Sequence, residues 1–331
     1  MFGYIVRRVV AAFLVIVVTS IMVFALFVYG PANPAATLCN NNGRCTEDRM
    51  NLYTHSLGLD KTFTQQYGTF VKGLFVDRTV HQGAAAYKCD APCLGISYLD
   101  TTQVRSQLTT KFPATLSIAI GGAIIELAIG LSMGAIAART RGSAMDRSLV
   151  TGSLLVSSFP PFVIFLLAWI YLFSTWHVLP ASGYSSFLHS PGAWAAGLLL
   201  PWLALGITGS TNYARYGRTQ MVESLGEDYV RSATAKGVST NVAVFKHALR
   251  AAIVPIVTIF GIDFAFLLSG TIIIEKIFGI QGIGLYSLDA VIHLDYPAVN
   301  GTVLFAAVFI VIANIIVDVM YSVLDPRVRL T

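Results

Sequence analysis

Charge is scarce in this chain. Asp, Glu, Lys and Arg make up 12% of its 331 residues against 55% hydrophobic ones, and the mean hydropathy is +0.68. A soluble domain carries roughly twice that share of charge, so the composition excludes an ordinary soluble protein and indicates a membrane protein. Catalytic signatures are missing as well. The sequence contains no GxxxxGK[ST] phosphate loop, no HExxH and no GxSxG elbow, so nothing in it supplies nucleotide hydrolysis, zinc-dependent hydrolysis or a serine nucleophile. The formal charge of +5 comes from Arg and Lys scattered among loops, with no basic stripe interleaved with aromatics. Nucleic acid is therefore excluded as a partner. No internal repeat is visible, whereas secondary transporters often carry repeated halves with broken helices at matching positions.

What is present is a set of apolar runs. The first, 9–29, follows Arg7 and Arg8. Ala32, Ala35 and Ala36 offer a signal-peptide cleavage site, but the run exceeds the roughly 7–15 residues of a signal core, so it reads as a retained span. Five more runs follow at 112–138, 149–175, 195–214, 253–275 and 301–323. Each is near the length that crosses a hydrocarbon core of about 30 Å. Pro113 stands where the second span begins, and Pro160 and Pro161 should bend or unwind the third. The expected fold class is an all-α polytopic membrane protein with six transmembrane helices. Its parts are a first helix in 1–29, a polar insertion over 30–111, and a core over 112–331 with a basic loop at 215–252.

Short loops set the orientation. The 139–147 loop (Arg139, Arg141, Arg147), the 215–250 loop and the tail (Arg327, Arg329) are basic, whereas 176–194 has no Lys or Arg and 276–299 has Lys276 alone. The positive-inside rule places both termini in the cytoplasm and the long 30–111 insertion outside. All four cysteines, Cys39, Cys45, Cys89 and Cys93, lie in that insertion. An even number in an oxidising compartment points to disulfides rather than zinc, although Cys89-x3-Cys93 is near ligand spacing. Three connectivities are open: local pairs 39–45 and 89–93, or cross-pairs that would staple longer loops.

The most informative stretch is a polar island at 223–255. A short helix opens with Glu227 and Asp228, which suit the positive end of a helix dipole. It continues through Tyr229, Arg231, Ala233 and Ala235 and should stop after Lys236 at Gly237 in a left-handed C-cap. Ser239 can cap a second short helix, with Val242, Phe245, Ala248, Leu249 and Ala252 on one side.

The motif DYVRSATAKG at 228–237, followed by HALRAAIVP, resembles the cytoplasmic coupling loop of ABC-importer permeases of the dipeptide and oligopeptide group. The general signature there is Glu-Ala-Ala, three residues, then Gly. Here Arg231, Ser232, Ala233 and Gly237 hold those positions, a departure at the first two that is usual in the peptide group. FPATLSIAIGG, GLSMGAIAARTRGSAMDRSL, SFPPF, VLPASGY and NIIVDVMYSVLDPRVR carry the resemblance through most of the chain. EKIFGIQGIGLYSLDAVIHLDYPAVNG is similar to the external loop before the family's last span, which implies a docking surface for a binding protein. Its GIQGIG reads as a turn or re-entrant segment, not a nucleotide loop.

The resemblance implies a non-enzymatic permease subunit in a bacterial plasma membrane, forming half of a pathway for dipeptides or oligopeptides. Its partners would be a homologous second permease, two cytoplasmic ATPases, an extracytoplasmic binding protein and membrane lipid. It also implies no cofactor in this chain, with ATP and Mg bound by the ATPases. Glu227, Asp228, Tyr229, Arg231, Ala233, Ala235, Lys236 and Gly237 would then couple to those ATPases. A nickel chelate or glutathione is the alternative solute, and a secondary transporter the rival class. Ionisable groups within spans are costly and mark candidate pathway positions: Glu126 in the second span and Asp263 in the fifth. Glu275 lies at the outer end of the fifth. Asp318, one turn after Asn314, suits pairing with the tail arginines.

Overall fold

Once in lipid, an apolar segment must satisfy its backbone within itself, and these runs do so as helices. The computed structural model describes residues 2–30, 33–41, 45–269 and 271–324. In chain order these residues form α1 (Phe2–Tyr29), α2 (Pro34–Asn41), α3 (Glu47–Leu57) and α4 (Phe63–Gly73). The hairpin β1 (Arg78–Gln82) and β2 (Ala85–Cys89) comes next, then α5 (Val104–Arg139), α6 (Ala144–Ser157) and α7 (Pro161–Ala168). A π-helical stretch, Trp169–Thr175, prolongs α7. Beyond it lie α8 (Pro191–Gly226), α9 (Asp228–Ala235), α10 (Thr240–Val242), a second π stretch Ala243–Ala248, and α11 (Leu249–Ser269). The last elements are α12 (Ile272–Phe278), α13 (Ile283–Ile292) and α14 (Tyr296–Leu324).

Four helices are long and apolar enough to cross a membrane, and two bent pairs bring the number to six. Several boundaries differ from expectation. α5 starts at Val104, so Pro113 lies inside the helix instead of opening it. α8 runs on to Gly226, past the expected end at 214, which draws the first part of the polar island into a span helix. The third span bends by 92° between Ser157 and Pro161, where Pro160 and Pro161 were expected to break it. The fifth is broken too, α11 and α12 meeting at 53°. The arginines of the tail and the side chain of Asp318 lie outside the described residues.

The chain divides into two compact units. One comprises Met1–Pro113 with Gln281–Val311, the other Ala114–Ile280 with Ile312–Thr331. In the first, the insertion is a folded body that composition did not reveal. α3 ends at Gly58, φ 70°, with the Gly58 and Leu59 amides bonded to the His55 and Thr54 carbonyls at 3.1 and 3.0 Å. β1 and β2 pair antiparallel, Arg78 opposite Cys89 and Gln82 opposite Ala85. Ala35, Leu38, Cys39 and Tyr53 form one small core, and Cys89, Cys93 and Ile96 another. The disulfides join neighbours, Cys39 to Cys45 and Cys89 to Cys93, so the longer-loop cross-pairing is not used. Stitching over distance falls to polar contacts. Ser97 Oγ donates to buried Asp295 at 2.5 Å, and Gln82 Nε2 to the Ile96 carbonyl at 3.1 Å. Burial holds the Asp295 carboxyl above the usual carboxylate range.

In the second unit α5 and α8 cross closely. A Cβ on Gly134 would lie 2.9 Å from the Ala214 carbonyl oxygen and the Arg218 amide nitrogen, and one on Gly206 would collide with Ile125. Small residues at a membrane crossing permit this approach and the dispersion contacts it brings. Ser117 of α5 is held by two indoles of α8, Trp194 Nε1 to its hydroxyl at 3.0 Å and Trp202 Nε1 to its carbonyl at 2.9 Å. α12 is locked by buried Glu275, which accepts from Thr115 Oγ1 at 2.7 Å.

Candidate coupling surface

α9 is eight residues long, and its sequence explains both ends. Glu227 is extended at the N-cap (φ −70°, ψ 146°), and Asp228 occupies the first turn. At the other end Gly237 has φ 87°. Its amide bonds to the Thr234 carbonyl at 3.0 Å and that of Val238 to the Ala233 carbonyl at 3.2 Å. This paired closure with a left-handed glycine is the Schellman geometry, as the sequence predicted for this position.

What α9 buries is small. Val230 is 2% exposed and anchors the helix, whereas Tyr229 is 47% exposed. Glu227, Asp228, Arg231, Ala235, Lys236 and Gly237 are also exposed, and Ala233 is half-buried. Nothing lies within 4 Å of a Cβ placed on Gly237. A short helix with one apolar anchor, a polar outer face and a fixed corner gains its order from backbone caps, and it leaves its outer face available to another surface.

The second half of the island differs from the expected separate helix. α10, the π stretch and α11 run end to end, so the chain leaves Ser239 directly into the fifth span. Ala243 N–H bonds to the Ser239 carbonyl at 2.9 Å. The wider π turn changes the register. Of the residues expected on one side, Ala248 and Ala252 are buried together, whereas Val242 is 41% exposed and Val244 is buried instead. The Phe245 side chain lies outside the described ones.

Beneath this corner, Val244, Ala248 and Ala252 pack with Ala135 and Ala138 of α5 and Met221 of α8. The same unit holds an ion pair, one turn before Met221 on α8, that the sequence did not reveal. Arg218 Nε and Nη2 donate to Asp146 Oδ1 and Oδ2 at 2.6 and 2.7 Å. Asp146 also accepts from the Gly142 amide at 2.9 Å, and its own amide bonds to Ser143 Oγ at 3.2 Å. Ser143 followed three residues later by Asp146 is a helix-start signal, so the position of Asp146 was readable. Its partner 72 residues away was not.

The two candidate pathway acids lie in the same unit. Asp263, half-buried on α11, accepts from Tyr213 of α8 at 2.7 Å. Glu126 is buried, its carboxylate lying where a Cβ on Gly209 would be. Among the described residues neither forms an ion pair with Lys or Arg. The GIQGIG segment is a turn: Gly279, φ 67°, ends α12, and extended Gly282 precedes α13.

With this geometry in place, comparison with known proteins gives a consistent picture. Residues 127–330 match the family model described as binding-protein-dependent transport system inner membrane component, and residues 1–119 match that family's N-terminal membrane-component model. A putative peptide transport system permease protein of Brucella abortus is 33% identical over 330 residues, 99% of each chain. The dipeptide transport system permease protein of Escherichia coli K12 is 31% identical over 352 aligned residues, and a glutathione transport system permease protein of E. coli O6:H1 is 31% identical over 332, each again covering 99% of both chains. Among solved structures, the inward-facing MetNI methionine ABC transporter aligns with a TM-score of 0.54 at 17% identity, over 67% of this chain and 97% of that one. At that identity the likeness concerns the fold.

Proposed function

The chain belongs to the family of inner membrane components of binding-protein-dependent transport systems, and from that premise we propose that it is one of two related membrane subunits of an ATP-driven importer of dipeptides and oligopeptides. The observation that carries this reading is the α9 corner, an exposed helix closed by left-handed Gly237 and linked through Val238 and Ser239 to the fifth span. In this reading Glu227, Asp228, Tyr229, Arg231, Ala235, Lys236 and Gly237 meet a cleft on a cytoplasmic ATPase, with Ala233 at the margin. ATP and Mg bind the ATPases, and this chain holds no cofactor. Closure of the ATPases displaces the corner, and the helices continuous with it tilt to open the pathway outward. Hydrolysis resets it. Asp263 and Glu126 are the candidates for the pathway wall, and an extracytoplasmic binding protein delivers the solute.

The basic loops support cytoplasmic termini in a bacterial plasma membrane. His189→Cys should react with an impermeant thiol reagent from outside and Ser239→Cys should not. The reverse labelling would overturn both the orientation and the coupling assignment. Glutathione is the second reading of the solute, favoured by the glutathione permease at comparable identity. Isolating the complex with its binding protein and identifying the solute retained from medium separates the two.

A further inference from the structure

α4 presents two unlike faces. Phe63, Tyr67 and Phe70 lie against Phe24 of α1, with ring centroids 5.8, 5.5 and 5.7 Å away. The other side carries Gln65 and Lys72, with Lys61 just ahead of the helix. A cleft of about 350 Å³ opens here, with an apolar wall that includes Phe24, Phe27 and Val28 of α1 and the rings of Tyr98 and Tyr296. A polar hollow of about 710 Å³ that includes Lys72 shares Lys61, Thr69 and Arg78 with it. The two adjoin along Lys61, Thr69 and Arg78, an apolar hollow beside a polar one, and are taken together as an amphipathic groove.

Arg78 stands at the junction, half-buried. Its Nε points at Cys93 Sγ, 3.0 Å away, and its Nη1 donates to the Thr69 carbonyl at 3.3 Å. Among the described residues no carboxylate pairs with Arg78, Lys61 or Lys72. Asp77, among the described residues the sole carboxylate lining either hollow, accepts from the Ala91 amide at 2.8 Å and lies 3.8 Å from Lys88. A partly desolvated guanidinium with no countercharge is costly, and an anion brought from outside relieves that cost.

We propose that this groove binds an anionic phospholipid, its acyl chain along the aromatic wall and its phosphate at Arg78 and Lys61. α1 is a membrane span whose end, with Leu26 and Tyr29 exposed, forms one wall, so the groove opens where hydrocarbon meets water. A free phosphate would use the cations and leave the aromatic wall wet. A peptide would need a free carboxylate for its ammonium group, and Asp77 is already engaged.

The test uses the assembled complex in phosphatidylcholine nanodiscs doped with either phosphatidylglycerol or phosphatidylcholine carrying a diazirine on the acyl chain. Cross-links are mapped by mass spectrometry. The phosphatidylglycerol probe should label residues 24–28 and Tyr98 about fivefold more than its neutral counterpart, a cation near an anionic headgroup being worth roughly that factor. The surface double variant Lys61→Gln/Lys72→Gln should lower that preference to about twofold or less, Arg78 alone remaining, and Thr64→Ala, a neutral change in the same hollow, should keep it whole. Arg78→Gln should also lose the label, but the lysine variants decide because they leave internal hydrogen bonds intact. Equal labelling by both lipids, or labelling indifferent to the lysines, overturns the proposal. So does displacement by glycerol phosphate, which would mark a phosphate site, or by a tripeptide, which would mark a solute subsite.

Discussion

Two polar stretches interrupt the apolar runs, and they solve the problem of order in opposite ways. The segment from Asn33 to Gln103 closes on itself, burying Leu38, Phe70 and Ile96 and carrying both disulfides. The stretch from Glu227 to Ser239 buries Val230 and leaves most of its other side chains outside. A segment that supplies most of its own core is held chiefly from within, with ties such as Ser97 to Asp295 and Phe70 to Phe24 adding to it. One fixed mainly by caps, with its outer face uncovered, is shaped for contact. Damage to the first should therefore appear as lost stability, and damage to the second as lost coupling.

The sharpest way to break that contrast is Gly237→Val. The left-handed backbone costs a β-branched residue roughly 1–2 kcal/mol, and open space around the position leaves strain at the corner as the main effect. Uptake into proteoliposomes should fall by about tenfold or more, a strain of that size being worth about a factor of ten. Membrane insertion and solute capture by the binding protein should be unchanged. Ala235→Trp should act the same way by steric exclusion. It is a cleaner probe than Ala233→Trp, because half-buried Ala233 would also disturb the seat of α9. Normal assembly with full uptake in both Gly237→Val and Ala235→Trp would reduce the stretch to a solvated loop.

Arg218→Ala tests whether the ion pair that ties α8 to α6 is structural. It leaves the Asp146 side chain, 5% exposed, without its cation, a loss of about 3 kcal/mol that a thermal melt of the complex would register. Asp146→Leu/Arg218→Met should lose less than the two single changes added together, because neither charge is then stranded.

Smaller effects belong to the insertion. Each disulfide closes a short loop, with sequence separations of 6 and 4, so reduction should cost about 2 kcal/mol per bridge by loop entropy. Melting with and without reductant measures this, and basal ATPase activity should not change. The smallest effect is at Asp295. Burial raises its carboxyl above the unfolded value, so its favourable term is complete below the unfolded pKa and fades as pH rises through the folded one. Asp295→Asn removes that dependence. The melting temperature of the parent relative to Asp295→Asn should therefore decline as pH rises from the acid range toward neutrality, and a difference constant with pH would refute the assignment.

The contrast also explains what the sequence could disclose. α9, its acidic start and its glycine corner were legible because helix caps are local chemistry, written within a few residues. So was the break at Pro160 and Pro161. The insertion was opaque because its order depends on contacts such as Ser97 with Asp295, separated by 198 residues, which no local pattern encodes. Arg218 with Asp146 escaped for the same reason. In the second half of the island Ala248 and Ala252 share a buried face as their spacing suggests, and Val242 leaves it because a π turn shifts the 3.6-residue register.

The unbroken run from Thr240 to Ser269 has a mechanical meaning. At 1.5 Å per residue it is a strut about 45 Å long. A tilt of only about 5° would carry its far end roughly 4 Å sideways at that length. With its near end joined through Val238 and Ser239 to the Gly237 corner, the strut would work as a lever arm in the coupling proposed above. A displacement smaller than a side chain at the corner could thus become an opening wide enough to pass one.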